Sequence, residues 1–264
     1  REFSFSTNIN VDVDNLADRI RNLLGVSIER QITWKHNWKA LNNWKRALEA
    51  LDVLVFQASG VSEELMSGFS IYNKKFPVIV INSKSTYTKR IFTIFHELAH
   101  LLLKGQGVCD LVEKQNDISE NARTEAFCNR FAASFLVPKS HFLNQDILWE
   151  IDFKADWEIS EVAALSKIYN VSREVIARRL VSLEKAPRGF YTQLRERLSE
   201  EWKSVKKKRK GFIEQYKKPI VGYGHLFIRL VLDAYYQNLI TTSNINDYLG
   251  VKTKYLPTIE KEVW

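Results

Sequence analysis

The chain has 264 residues, 45% hydrophobic and 27% charged, which describes a globular protein with ample material for a core. No stretch approaches the ~20 apolar residues of a membrane helix, and Arg1–Ser6 lacks the apolar region of a signal peptide, so a cytoplasmic protein with no membrane partner is expected. The net charge of +8 owes much to Lys203–Lys210 and suits an acidic partner or nucleic acid, although solubility alone would account for it. The absence of a starting Met leads us to expect a processed or trimmed chain. Cys109 and Cys128, too few for a disulfide framework, read as reduced thiols.

Taken in order, Asn15–Leu24 carries Leu16, Ile20, Leu23 and Leu24 at helical spacing, with Asp14 or Asn15 as cap. Trp34–Leu51 repeats Trp34, Trp38, Leu41, Trp44, Leu48 and Leu51 at threes and fours, a helix or helix pair whose tryptophans read as core. The period then changes. Val53–Phe56, Phe69–Tyr72 and Val78–Ile81 are short strand-like runs separated by Gly60, Gly68 and Asn73. A helix follows over Thr88–Lys104, stopped by Gly105 and Gly107, and after a loop containing Cys109 another runs from Ser119 to Phe135 before Pro138. Glu158–Leu183 reads as a helix-turn-helix with Ser172 capping its second helix. Charge dominates from Leu194 to Lys210, Leu226–Ile240 is a hydrophobic helix, and Ile245–Lys252 is a short helix with a turn. The pattern predicts a mainly helical α+β fold with a small sheet packed on the Thr88–Lys104 helix. Three units are expected: a core over 1–140 that holds the Thr88–Lys104 helix, a helix-turn-helix segment over 141–186 and a helical C-terminal domain over 187–264.

The Thr88–Lys104 helix contains His96-Glu97-Leu98-Ala99-His100, an H-E-x-x-H. Residues four apart share a helix face, so both imidazoles can hold one Zn²⁺ while Glu97 serves as general base. The variant with a third histidine is excluded, because Leu103 and Gln106 occupy the required Gly and His positions. A carboxylate must then complete the set, and Glu113, Glu120 and Glu125 are the candidates. Glu125 is preferred, being mid-helix on a small-residue face with Asn129 one turn on to orient it or the metal-bound water. Tyr87 and His141 are considered for the oxyanion, and the Val78–Asn82 strand as a sheet edge on which substrate adds.

His96–His100, the preceding Arg90–Thr93 and the run Glu125–Pro138 (E-A-F-C-N-R-F-A-A-S-F-L-V-P) together resemble the ImmA/IrrE metallopeptidases over roughly Val78–Pro138. Ile159–Leu183 is similar to the helix-turn-helix segment that follows the peptidase core there. The resemblance implies a zinc-dependent cytoplasmic endopeptidase, with Mn²⁺ as a possible substitute metal. It implies His96, His100 and Glu125 as ligands, Glu97 as base, and a helix-turn-helix repressor as substrate. Cleavage would release stress, DNA-damage or mobile-element genes. Cys128 stands where the family usually has Ala, near enough to Glu125 to approach the metal, although plain packing is preferred. A second class of reading is a DNA-binding or antitoxin-like regulator with an idle or sensory peptidase fold, touching phosphates through Arg173, Arg178 and Arg179.

Overall fold

The structure is a computed structural model describing residues 2–104, 118–203 and 214–264. The fold is mainly helical α+β, with a three-stranded sheet. The first helix, α1 (Val13–Leu23), begins two residues earlier than its apolar spacing suggests. Asp12 is the cap, its carboxylate accepting from the Asn15 N–H at 2.8 Å. The tryptophan stripe breaks into α2 (Ile28–Ile32) and α3 (Asn37–Glu49), burying Trp34 and Trp44 but leaving Trp38 half exposed.

Strands β1 (Leu54–Ala58), β2 (Gly68–Ile71) and β3 (Val78–Asn82) lie in the order β1-β3-β2. Leu54 pairs with Val78 in the parallel ladder, and Ser70 with Ile79 in the antiparallel one. The strand following Pro77 is therefore central and hydrogen-bonded on both sides, which corrects its reading as an edge. The edge beside the H-E-x-x-H helix is β2, which pairs with β3 alone among the described residues.

The sheet packs on α4 (Tyr87–Lys104), whose first turn is closed by the Lys89 N–H donating to Thr86 Oγ1. Next comes α5 (Ile118–Leu136), the most extensive neighbour of α4. Trp44, Phe95 and Phe135 meet at their centre, with ring centroids 4.0–5.3 Å apart. The short helix α6 (Lys139–Leu143) precedes α7 (Ile159–Tyr169) and α8 (Arg173–Ser182). In the turn between these two, Asn170 takes a left-handed conformation (φ 55°), and Ser172 caps α8.

The helix-turn-helix is fastened to the core through the C-terminus of α5, whose last carbonyls have no partner within the helix. Arg21 donates to the Phe135 carbonyl at 2.7 Å, Gln31 to that of Leu136 at 3.0 Å and Arg179 to that of Val137 at 2.8 Å. Two cations at the negative end of a helix dipole also suit its field. One hydrophobic core accordingly runs from Phe3 to Leu198, through α9 (Phe190–Lys203), without a break near residues 140 or 186.

A second core joins α10 (Lys217–Tyr236), α11 (Thr242–Leu249) and α12 (Leu256–Val263). Helix α10 is broken at Gly224 (φ 77°). The break parts the Val221 carbonyl from the His225 N–H, which an unbroken helix would join. The other unit supplies replacements. Lys45 and Gln57 donate to the Val221 carbonyl at 3.0 and 2.7 Å, and Glu49 accepts from the His225 N–H at 3.2 Å. A Cβ on Gly224 would fall 1.9 Å from Glu49 Oε1, so the docking requires glycine both for its backbone and for its size.

Candidate metal centre

His96 and His100 lie one turn apart on α4, and α5 brings Glu125 across to them. The two Nε2 atoms are 3.2 Å apart. Glu125 Oε2 is 3.3 Å from His96 Nε2, and its Oε1 is 3.2 Å from His100 Nε2. Four ligands at ~2.0–2.1 Å around a tetrahedral ion are separated by about 3.3 Å, so this donor set fits Zn²⁺ with one position open. Among the described residues this is the one group of His, Cys, Asp and Glu side chains arranged to share an ion. Burial holds the His96 imidazole below its ordinary range, with the nearby Arg178 charge acting the same way and the Glu125 carboxylate and an Asn129 hydrogen bond opposing. The neutral imidazole is the form that binds metal. Asn129, which the sequence reading has orienting Glu125 or the metal-bound water, thus also acts on His96.

Glu97 is buried beside the cluster, and Ser70 Oγ donates to its Oε2 at 3.0 Å. The strand that carries Ser70 comes close because of Gly68. A Cβ there would meet Thr93 Cγ2 at 2.4 Å and the Val80 carbonyl at 2.8 Å. Gly68 reads as a turn residue in the sequence, yet its structural task is the close packing of β2 on α4. Neither Ser70 nor its task is signalled locally, beyond its being the small polar residue between outward-facing Phe69 and Ile71.

The cluster opens into a cleft of about 930 Å³, walled on one side by β2 and α4 and on the other by α8 and α9. Tyr87 and His141 do not line it. Tyr87 stacks with Arg90, and His141 Nδ1 lies 2.9 Å from the Tyr169 hydroxyl. Glu120 lies exposed on α5 outside the cluster, whereas Glu113 falls outside the described residues, as do Cys109 and most of the Lys203–Lys210 block. Cys128 is fully buried in the core.

The three arginines that the sequence reading assigns to DNA contact have different surroundings. Arg179 is 1% exposed, its guanidinium engaged by Val137, Ser134 and Asp14, which removes it from phosphate contact. Arg173 and Arg178 face the cleft. Helical spacing cannot separate these roles, because it does not show which face of α8 the α5 terminus occupies.

A sheet edge beside an H-E-x-x-H helix, with a carboxylate delivered from the next long helix, is the arrangement of His₂Glu metallopeptidases. The family model described as Peptidase_M78, IrrE N-terminal-like domain, matches residues 48–181, just over half the chain. The chain belongs to this family, which is of the ImmA/IrrE peptidase type. A solved structure described as a Mycobacterium tuberculosis transcriptional regulator matches at 18% identity and TM-score 0.40. The match takes in 64% of this chain and 46% of that one, so the chain spans under half the length of that protein. No curated protein matches. No helix among the described residues is long and apolar enough to cross a membrane.

Proposed function

We propose that this protein is a zinc-dependent endopeptidase that cleaves a helix-turn-helix transcriptional repressor. The observation that carries the reading is the trio of His96 Nε2, His100 Nε2 and Glu125 carboxylate at 3.2–3.3 Å, the edge length of a tetrahedral zinc site. Zn²⁺ held by these residues supplies Lewis acidity toward the peptide carbonyl and the attacking water. Glu97 accepts a proton from that water as its oxygen bonds to the carbonyl carbon, and delivers the proton to the departing amine nitrogen. Ser70 donates to one carboxylate oxygen of Glu97 and so helps to position the carboxylate. The free edge of β2 borders the cleft and offers backbone groups to an extended substrate.

Support for a repressor as substrate comes from family membership and from the size of the cleft, which admits an extended segment. Elemental analysis of the purified protein tests the metal, with one zinc per chain expected, and His100→Ala should abolish it. Glu97→Gln should retain zinc and lose hydrolysis by roughly 10²–10⁴-fold, the scale of a general base. A zinc-free protein, or full activity in Glu97→Gln, overturns the proposal.

A further inference from the structure

The far wall of the cleft carries a charge that the hydrolytic step leaves without a task. Four cations line the cleft: Lys89, Arg173, Arg178 and Arg195. Lys89 lies 3.5 Å from a Glu63 carboxylate oxygen and Arg195 3.9 Å from one of Glu174, so these two are matched at the rim. Arg178 has no carboxylate within 4 Å among the described residues. It is nevertheless held firmly. Its Nη2 donates to the Tyr191 hydroxyl at 2.8 Å, and its guanidinium carbon sits 4.0 Å from the Tyr191 ring centre and 5.8 Å from that of Phe92.

Phe92 is one turn before His96 on α4, with the two ring centres 6.3 Å apart. Phe92 is thus the common neighbour of the guanidinium and of His96, which keeps the two within about 12 Å of each other. Tyr191 takes one of its five N–H donors, leaving a planar fork of the kind that receives a carboxylate in bidentate fashion. An extended chain advances about 3.3 Å per residue, so the fork falls within about four residues of the scissile bond.

We infer that Arg178 is a specificity-determining residue, receiving an Asp or Glu side chain of the substrate within a few residues of the bond that is cut. The inference rests on the peptidase reading above and adds to it a chemical class of substrate sequence. Tyr191 and Phe92 act as positioning residues for the guanidinium.

The test uses two pools of fluorescent peptides of one fixed length, one with Asp and Glu and the other with Asn and Gln at the same positions. Binding is read by anisotropy to zinc-treated, full-length Glu97→Gln protein, which separates recognition from hydrolysis. The acidic pool should bind at least about tenfold tighter, as expected for a charge-assisted pair. Adding Arg178→Gln should erase the difference and Arg178→Lys should retain part of it. Arg178→Glu should transfer the preference to a pool carrying Lys and Arg at those positions. Equal binding of the two pools by protein with Arg178 intact overturns the inference. So does a preference that survives Arg178→Gln, or one erased by Arg173→Gln instead. Failure of the peptidase reading would look different, as binding preference without cleavage of either pool by protein carrying Glu97.

Discussion

At the scale of single residues, what distinguishes Glu97 from the other carboxylates is its company. It is buried beside His96, accepts from Ser70 at 3.0 Å and lies under a strand that only glycine allows so near. Replacing Ser70 with Ala removes one hydrogen bond to this carboxylate, and a loss of about tenfold in kcat with KM nearly unchanged is expected. Steady-state kinetics on a cleaved peptide, with zinc content as control, would check this. An unchanged kcat would show that Glu97 needs no such support. That His96, His100 and Glu125 come together was legible in the sequence, because a spacing of four on an apolar helix pairs the two histidines and α5 offers a mid-helix carboxylate. Ser70 and Arg178 were not, since the task of each is set by a residue distant in the chain: Glu97 for the first, Phe92 and Tyr191 for the second.

Among the elements, α5 is the hinge of the argument. Its Glu125 faces the cleft, while its last carbonyls are bonded by Arg21, Gln31 and Arg179. Arg179→Ala would strand the buried Val137 carbonyl and leave the partly exposed Asp14 carboxylate without its cation, and a destabilisation of about 1–3 kcal/mol is expected from the unsatisfied group. Chemical denaturation measures it. A change below about 1 kcal/mol would contradict the account of α8 as a fastened part of the core. The helices and their order were largely legible from apolar periodicity and caps. The rank of the strands was not, because Val78–Asn82 and Phe69–Tyr72 look alike locally. Only the pairing, β1 parallel and β2 antiparallel to the same strand, makes one central and leaves the other as the edge. A β2 displaced by Gly68→Ala should therefore lower activity sharply while α4 and its zinc persist, as circular dichroism and metal analysis would report.

For the whole molecule, the cleft joins segments that the sequence presents as separate units. Its near wall is α4 with the start of β2 at Gly68, and its far wall comes from α8 and α9, so under the proposed function recognition and hydrolysis would share one surface. The C-terminal unit docks elsewhere, through the broken α10. There His225 is pushed down to about 4 by burial, with Arg46, Lys45 and Arg229 adding to the effect. A histidine with a depressed folded value binds fewer protons than its unfolded form between about pH 4 and 6.5, so its contribution to stability falls as pH falls through that window. Relative to the wild type, His225→Gln should thus gain stability on acidification from pH 6.5 toward 4, measured by thermal unfolding at several pH values. A pH-independent difference would contradict this placement of His225. The central claim concerns the cleft, and it is tested most directly by mass mapping. Full-length protein is incubated with a helix-turn-helix repressor from the same organism, with and without added Zn²⁺, and the fragments are weighed. The account predicts a single zinc-dependent cut that Glu97→Gln abolishes, with an acidic residue within about four positions of it. An intact repressor under both conditions, or the same cut made by Glu97→Gln, would contradict it.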